Sequence, residues 1–254
     1  MRWGVFSDVH ANLEALEAVV ARLKERGVER LLCLGDIVGY GASPNECVER
    51  VRQVADAVLA GNHDWAVAGR TSTEYFNTMA REAVKWTRRV LTPENLDYLK
   101  ERPLVHRFGG AGGSGGGVFL AVHAAPCSPE DWEYILGTED AVAQFRCFTE
   151  RACLVGHSHQ PFAAEISPEG RVTLGSLDRR ELAPERRYIF NVGSVGQPRD
   201  ADPRAAAAIL DDGDGTGPVT LALERVPYDF TRTQEKILAA GLPAPLASRL
   251  GVGY

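Results

Sequence analysis

The sequence predicts an α/β fold with mixed sheets, and two patterns carry that prediction. Short apolar runs alternate with amphipathic helical patterns through the first 160 residues, and further apolar runs then follow with fewer helices between them. Alternation alone would suggest a purely parallel sheet, whereas consecutive strands add antiparallel neighbours. No linker divides the 254 residues into two halves, so a single domain over residues 1–254 is expected.

Taken in order, Arg2–Ser7 reads as a buried strand. Leu13, Leu16, Val20 and Leu23 then fall at helical spacing, and Gly27 marks the end of that helix. Arg30–Leu34 is the next strand, Asn45–Val54 a helix and Ala57–Ala60 a third strand. Tyr75–Val90 and Pro93–Glu101 read as helices, the second with proline at its first position. Val118–Val122 and Cys153–Val155 are further strands, with helical stretches between them. Tyr188–Val192, Ala206–Leu210 and Val219–Val226 make a strand-rich tail. The glycine-rich segment Gly109–Gly117 lacks the Lys-Ser/Thr of a phosphate-binding P-loop and is expected to be a mobile connection between two strands.

Composition narrows the function. Hydrophobic residues at 44% and charged residues at 24% exclude wholesale disorder. No apolar run is long enough for a membrane helix, and Asp8 interrupts the first run before a signal-peptide core can form, so a cytoplasmic protein is expected. A net charge of −6 argues against holding nucleic acid by bulk electrostatics. A local cationic site made by metal ions is compatible with it. The five cysteines contain no C-x-x-C pair and are expected to be reduced, structural thiols.

Five of the six histidines lie in polar clusters at the ends of predicted strands. Asp8-Val9-His10 follows the first strand, Gly35-Asp36 the second and Gly61-Asn62-His63-Asp64 the third. His123 closes Val118–Val122, and Gly156-His157-Ser158-His159 follows Cys153–Val155. Loops past the carboxyl ends of strands are where α/β proteins assemble sites. The donors are the nitrogens and oxygens that divalent transition metals favour, without a thiolate. Singly, each cluster also reads as a helix cap or a surface histidine; Asp64, for example, can cap a helix starting near Trp65. Five in succession point to chemistry. His106 stands apart and reads as structural or surface.

This series, D-x-H, G-D, G-N-H-D, a lone His and G-H-x-H, resembles the calcineurin-like metallophosphoesterases, and within them the small YfcE-type bacterial and archaeal phosphodiesterases. The resemblance implies a four-layer α/β/β/α sandwich of two mixed sheets carrying a dinuclear metal centre. One ion would take Asp8, His10 and His159, the second Asn62, His123 and His157, with Asp36 bridging both. Mn, Fe or Zn is expected, and Co or Ni suits the same donors. Two divalent ions against two carboxylates leave a charge of about +2 for a small anionic phosphoester. The implied activity is hydrolysis of phosphodiesters, nucleotide-type ones included, by a hydroxide bridging the two ions. His63 would protonate or stabilise the leaving oxygen.

Asn191-Val192-Gly193-Ser194, with Pro198-Arg199 after it, resembles a later turn of the same branch. Asn191 and its turn can present N–H groups to phosphate with Arg199 as a fork, or simply reverse the chain with Arg199 paired to Asp200. Tyr40 either leans over a substrate base or belongs to its turn. A serine/threonine protein phosphatase is disfavoured, because no arginine follows Asp36 closely and Asp64 stands where those enzymes have Glu. A non-catalytic scaffold of the same fold is the other alternative, opposed by retention of the whole ligand series.

Overall fold

A computed structural model describes residues 1–109, 118–213 and 217–254. Strands and helices are numbered in chain order. The first sheet runs in the order β3 (Ala57–Val58), β2 (Arg30–Cys33), β1 (Arg2–Phe6), β11 (Ala205–Asp211), β12 (Thr220–Val226), β9 (Arg179–Glu181). β1, β2 and β3 are parallel, and β11 joins β1 antiparallel with Val5 opposite Ala208. The second sheet runs β4 (Val105–Gly109), β5 (Val118–Val122), β6 (Ala152–Val155), β10 (Arg187–Asn191), β7 (Phe162–Ile166), β8 (Val172–Gly175). β5, β6 and β10 are parallel there, and the flanking pairs antiparallel. Both sheets are mixed, as the strand pattern requires.

The period of two in the strands builds the layers. Val5, Leu32, Leu34, Ala208 and Leu210 face inward and meet Phe119, Leu154, Tyr188 and Phe190 of the second sheet. Alternate residues face outward. Phe6, Leu31, Cys33, Ala207 and Ile209 pack on α1 (Leu13–Glu25), α2 (Pro44–Val54), α4 (Thr78–Val90) and α5 (Pro93–Lys100). Leu120, Val122, Cys153 and Ile189 pack on α6 (Thr138–Gln144) and Phe148. The result is the helix–sheet–sheet–helix order. α1 forms where expected because Asn12 accepts from Ala15 N at 3.1 Å and Ala15, Leu16, Val19, Val20 and Leu23 form one buried stripe.

Several expectations need correction. α4 begins at Thr78 and not at Tyr75, because Asn77 takes the N-cap and accepts from Ala80 N. The chain after Val226 adds α7 (Phe230–Ala239) and α8 (Ala244–Ser248), whose Ile237, Leu246 and Ala247 pack on Ala80 and Ala83 of α4. Cys127 and Cys147 are not reduced; they form a disulfide with Cα atoms 5.3 Å apart. Gln144, at the end of α6, accepts from Cys127 N at 2.8 Å and so brings the two cysteines together. Cys33, Cys47 and Cys153 are free and buried, as small hydrophobes. His106 lies on β4 against Phe108. Of the Gly109–Gly117 segment, residues 110–117 lie outside the described residues; the strands flanking them are antiparallel neighbours.

Candidate metal centre

Strands of both sheets end on one side of the molecule, and their carboxyl ends deliver the polar clusters to one place. Asp8 and His10 follow β1, Asp36 follows β2, His123 follows β5, and His157 and His159 follow β6. Asn62 and His63 open α3 (Asn62–Val67) immediately after β3. All eight side chains are buried.

Two groups of donors result, Asp8 with His10 and His159, and Asp36 with His123 and His157. Backbone carbonyls orient the rings. His10 Nδ1 is 3.1 Å from Val38 O, His123 Nδ1 is 3.0 Å from Leu34 O, and His159 Nδ1 is 2.6 Å from Gln197 O. A neutral imidazole that donates through Nδ1 carries its lone pair on Nε2. His10 Nε2 and His159 Nε2 then face one another at 3.0 Å, with Asp8 Oδ1 at 3.2 Å from the latter. Burial, reinforced by His159, pushes His10 below its ordinary pKa, and burial and Arg199 do the same for His159, so neither ring supplies a proton to that contact. Opposed lone pairs beside a carboxylate oxygen are repulsive unless a cation lies among them.

The carboxylates are aimed in matching ways. Asp8 Oδ2 accepts from His157 N at 3.0 Å, which turns Oδ1 inward. Asp36 Oδ1 accepts from His63 N at 2.8 Å, which turns Oδ2 toward His123 Nε2 at 3.4 Å and His10 Nε2 at 3.7 Å. Burial raises both carboxyl pKa values, but the neighbouring His123, its own pKa pushed up to about 9 by Asp36 and Asp8 against its burial, opposes it, and both carboxyls are anionic. Asp8 Oδ1, Asn62 Oδ1, His123 Nε2 and His157 Nε2 are buried without a hydrogen-bond partner. Four such atoms in one place is a cost that native structures avoid unless something binds there. The donor set, nitrogen and oxygen only, fits divalent transition metals.

The backbone is strained at the same points. Asp8, His10, Asp36, His157 and His159 all have φ between 48° and 65°, a region that costs a non-glycine residue on the order of 1 kcal/mol or more. Glycines supply the room. A Cβ on Gly61 would lie 2.0 Å from Asp36 Oδ1, and one on Gly156 would lie 2.5 Å from Asp8 Oδ2.

A profile of the calcineurin-like phosphoesterase superfamily domain matches residues 1–214. The chain belongs to that superfamily. It is 41% identical over 249 residues to the uncharacterized protein MJ0912 of Methanocaldococcus jannaschii, covering 98% of this chain and 97% of that one. Among solved structures it is similar to a metallophosphoesterase from Sphaerobacter thermophilus, with 39% identity, a TM-score of 0.81, and 100% and 99% of the two chains covered. The hypothetical protein PH1004 of Pyrococcus horikoshii shares the fold at 20% identity, a TM-score of 0.76, and 100% and 98% coverage. Metal dependence and hydrolysis of phosphoric esters go with the superfamily, and the two buried donor groups of this calcineurin-like phosphoesterase can hold metal ions.

The remaining expected site residues divide. His63 lies outside both donor groups, its ring 5.0 Å from His10, 4.5 Å from Tyr40 and 4.8 Å from Phe76, with Nδ1 buried and unpartnered. Tyr40 and Arg199 line a cavity of about 230 Å³ together with Asn62, His63 and His157. Arg199 donates to Gln197 Oε1 at 2.8 Å, while Asp200 pairs with Arg225, so the alternative Arg199–Asp200 pair does not form.

Asn191 is corrected. Its Nδ2 donates to Gly156 O and to Ser158 Oγ, and its Oδ1 accepts from Gly193 N at 2.8 Å. Nothing is left for phosphate; the residue braces the loop carrying His157 and His159. The N–H groups of Val195 and Gly196 are likewise spent on Ser7 O and Asp8 O, so that turn buttresses the end of β1. Sequence reasoning missed Trp132 and Tyr134. Trp132 is 5.9 Å from His123 and Tyr134 is stacked 4.1 Å from His157, yet as isolated aromatics they carry no sequence pattern.

Proposed function

We propose that the protein is a phosphodiesterase with a dinuclear centre, Asp8, His10 and His159 holding one divalent ion and Asn62, His123 and His157 the other. Asp36, grouped with His123 and His157 and with its Oδ2 3.7 Å from His10 Nε2, would be the ligand shared by both ions. Mn, Fe or Zn is the expected occupant, with Co or Ni compatible with the donors. Bound there, two divalent ions supply the positive charge that acidifies water and offsets charge developing on phosphorus. The observation that carries the reading is the convergence of unpartnered buried oxygen and nitrogen atoms from both sheets on one point.

The chain's own residues supply orientation and protons. Leu34 O, Val38 O and Gln197 O fix which nitrogen each ring presents. His63, outside both donor groups and lining the cavity beside them, is placed to hydrogen-bond the departing ester oxygen. Arg199 lies above the Tyr40 ring with its Cζ 5.8 Å from the centroid, and its Nε is buried without a partner, a donor suited to a non-bridging phosphate oxygen. A scaffold without catalysis would gain nothing from keeping these atoms unpaired.

The test is activity of the metal-depleted protein restored ion by ion, on a panel of phosphodiesters and phosphomonoesters. Restored hydrolysis of diesters is expected. Turnover of monoesters alone, under every metal, would overturn the diester reading.

A further inference from the structure

Three of the four histidine rings in the two donor groups are turned by a backbone carbonyl that faces Nδ1, those of His10, His123 and His159. His157 is the exception. Among the described residues neither nitrogen of its ring has a hydrogen-bond partner, and its Nε2 is buried. Its backbone is fixed all the same, since His157 N donates to Asp8 Oδ2 and Asn191 braces Gly156 and Ser158 on either side. A fixed backbone does not by itself orient the ring, because the χ2 torsion of histidine is broad. The group lying flat against that ring is Tyr134, with centroids 4.1 Å apart and planes 25° apart.

We infer that Tyr134 is the positioning residue for His157, its ring face replacing the carbonyl that the other three imidazoles have. The inference rests on the reading of His157 as a metal ligand and names what holds it. Metal-ligating histidines are ordinarily oriented through the nitrogen that does not bind the ion. Stacking achieves the same end by another route. Turning the imidazole out of the stack forfeits the contact between the two faces, so rotation about χ2 is confined while both nitrogens stay without a competing partner.

Tyr134 is placed for this contact and not for the core. It is 48% exposed, whereas the next residue, Ile135, is buried against α6. The chain on both sides of Tyr134 is pinned to the same helix. Glu133 Oε2 accepts from Gln144 Nε2 at 3.2 Å, and Leu136 N and Gly137 N donate to Asp140 Oδ2 at 2.9 and 3.0 Å. The Cys127–Cys147 disulfide ties the start of the segment to the chain just past α6. The ring presented to His157 is therefore a rigid support.

The test is NMR relaxation of the histidine ring Cδ2–H groups in the metal-free full chain, followed by calorimetric titration with Mn²⁺. Wild type, Tyr134→Phe, Tyr134→Ala and Tyr75→Ala are compared; Tyr134 is half-exposed, so its truncation spares the core. In Tyr134→Ala the His157 order parameter is expected to fall below about 0.6, the flexible range, while His10, His123 and His159 keep theirs. One aromatic pair corresponds to about 2- to 12-fold in affinity, so the same variant should raise the Kd of one Mn²⁺ ion by that factor and leave the other unchanged. Tyr134→Phe keeps the ring face and should match the wild type in both measurements. Tyr75→Ala, at a 96% exposed residue lining the same cavity, should change neither. A His157 ring as rigid in Tyr134→Ala as in the wild type would overturn the inference, as would equal weakening of both ions or a Tyr134→Phe protein that behaves like Tyr134→Ala. Fewer than two ions bound by the wild type would overturn the dinuclear reading instead, and the relaxation result, taken without metal, still decides the role of Tyr134.

Discussion

Replacing Gly61 by alanine adds one methyl group and isolates the support of Asp36. Gly61 has φ −102°, which alanine adopts without strain, so the effect of the substitution is steric. The new Cβ would lie 2.0 Å from Asp36 Oδ1 and 2.4 Å from Asp36 N, well inside ordinary contact. One of the atoms met is backbone, so the carboxylate has to move. Moving it by more than an ångström breaks the 2.8 Å bond from His63 N, a hydrogen bond to a charged group contributing about 1.5–3 kcal/mol. Overpacking of the surrounding core adds about 1–3 kcal/mol. Together these place the loss of stability in the metal-free protein at about 2.5–6 kcal/mol, read by urea denaturation. Metal affinity should fall too, because the displaced carboxylate no longer faces His10 and His123. Gly137→Ala is the control, since its Cβ would meet nothing closer than Asp140 Oδ2 at 3.9 Å. A Gly61→Ala protein as stable as that control, with unchanged metal affinity, would refute the reasoning.

Three further outcomes follow from the same contacts. His63→Asn should keep both metals, by metal analysis, and lose about 10²–10⁴-fold in rate on an alkyl ester but clearly less on a nitrophenyl ester; equal losses on the two would mean that His63 only positions phosphate. Asn191→Ala leaves Gly156 O and Gly193 N short of a partner and should cost about 1–3 kcal/mol in urea denaturation together with weaker metal binding; unchanged metal affinity would contradict its role as the brace of the His157–His159 loop. The Cys127–Cys147 bond spans a sequence separation of 20, for which chain entropy predicts about 3 kcal/mol, so Cys127→Ser with Cys147→Ser should lower the urea midpoint accordingly; an unshifted midpoint would contradict that contribution.

The central strands were legible because they are buried on both sides or alternate cleanly. Arg30–Leu34 and Ala205–Asp211 send successive side chains to two different cores. β8 and β9 were not legible, since Val172–Gly175 is largely exposed and Arg179–Glu181 fully so, and no apolar alternation marks them. They are strands because β7 and β12 offer open edges for pairing. At the site the ligand-type residues were readable as donors at strand ends. The carbonyls of Leu34, Val38 and Gln197 were not, because every residue has one and only the fold selects which is used. Asn191 misled for a related reason. A polar residue at a strand end before a glycine turn looks like a ligand contact, and its pairing with Gly156 and Ser158 depends on β6 and β10 being neighbours.

Metal content per chain tests the central claim most directly, measured on the purified protein and on Asp36→Asn beside His10→Ala and Asn62→Ala. Asp36 belongs to the donor group of His123 and His157, and its Oδ2 also lies 3.7 Å from His10 Nε2 of the other group. Two ions per chain in the wild type are expected, with Asp36→Asn losing more metal than either variant of a residue that serves one group. An Asp36→Asn protein that holds two ions at wild-type affinity would contradict the account.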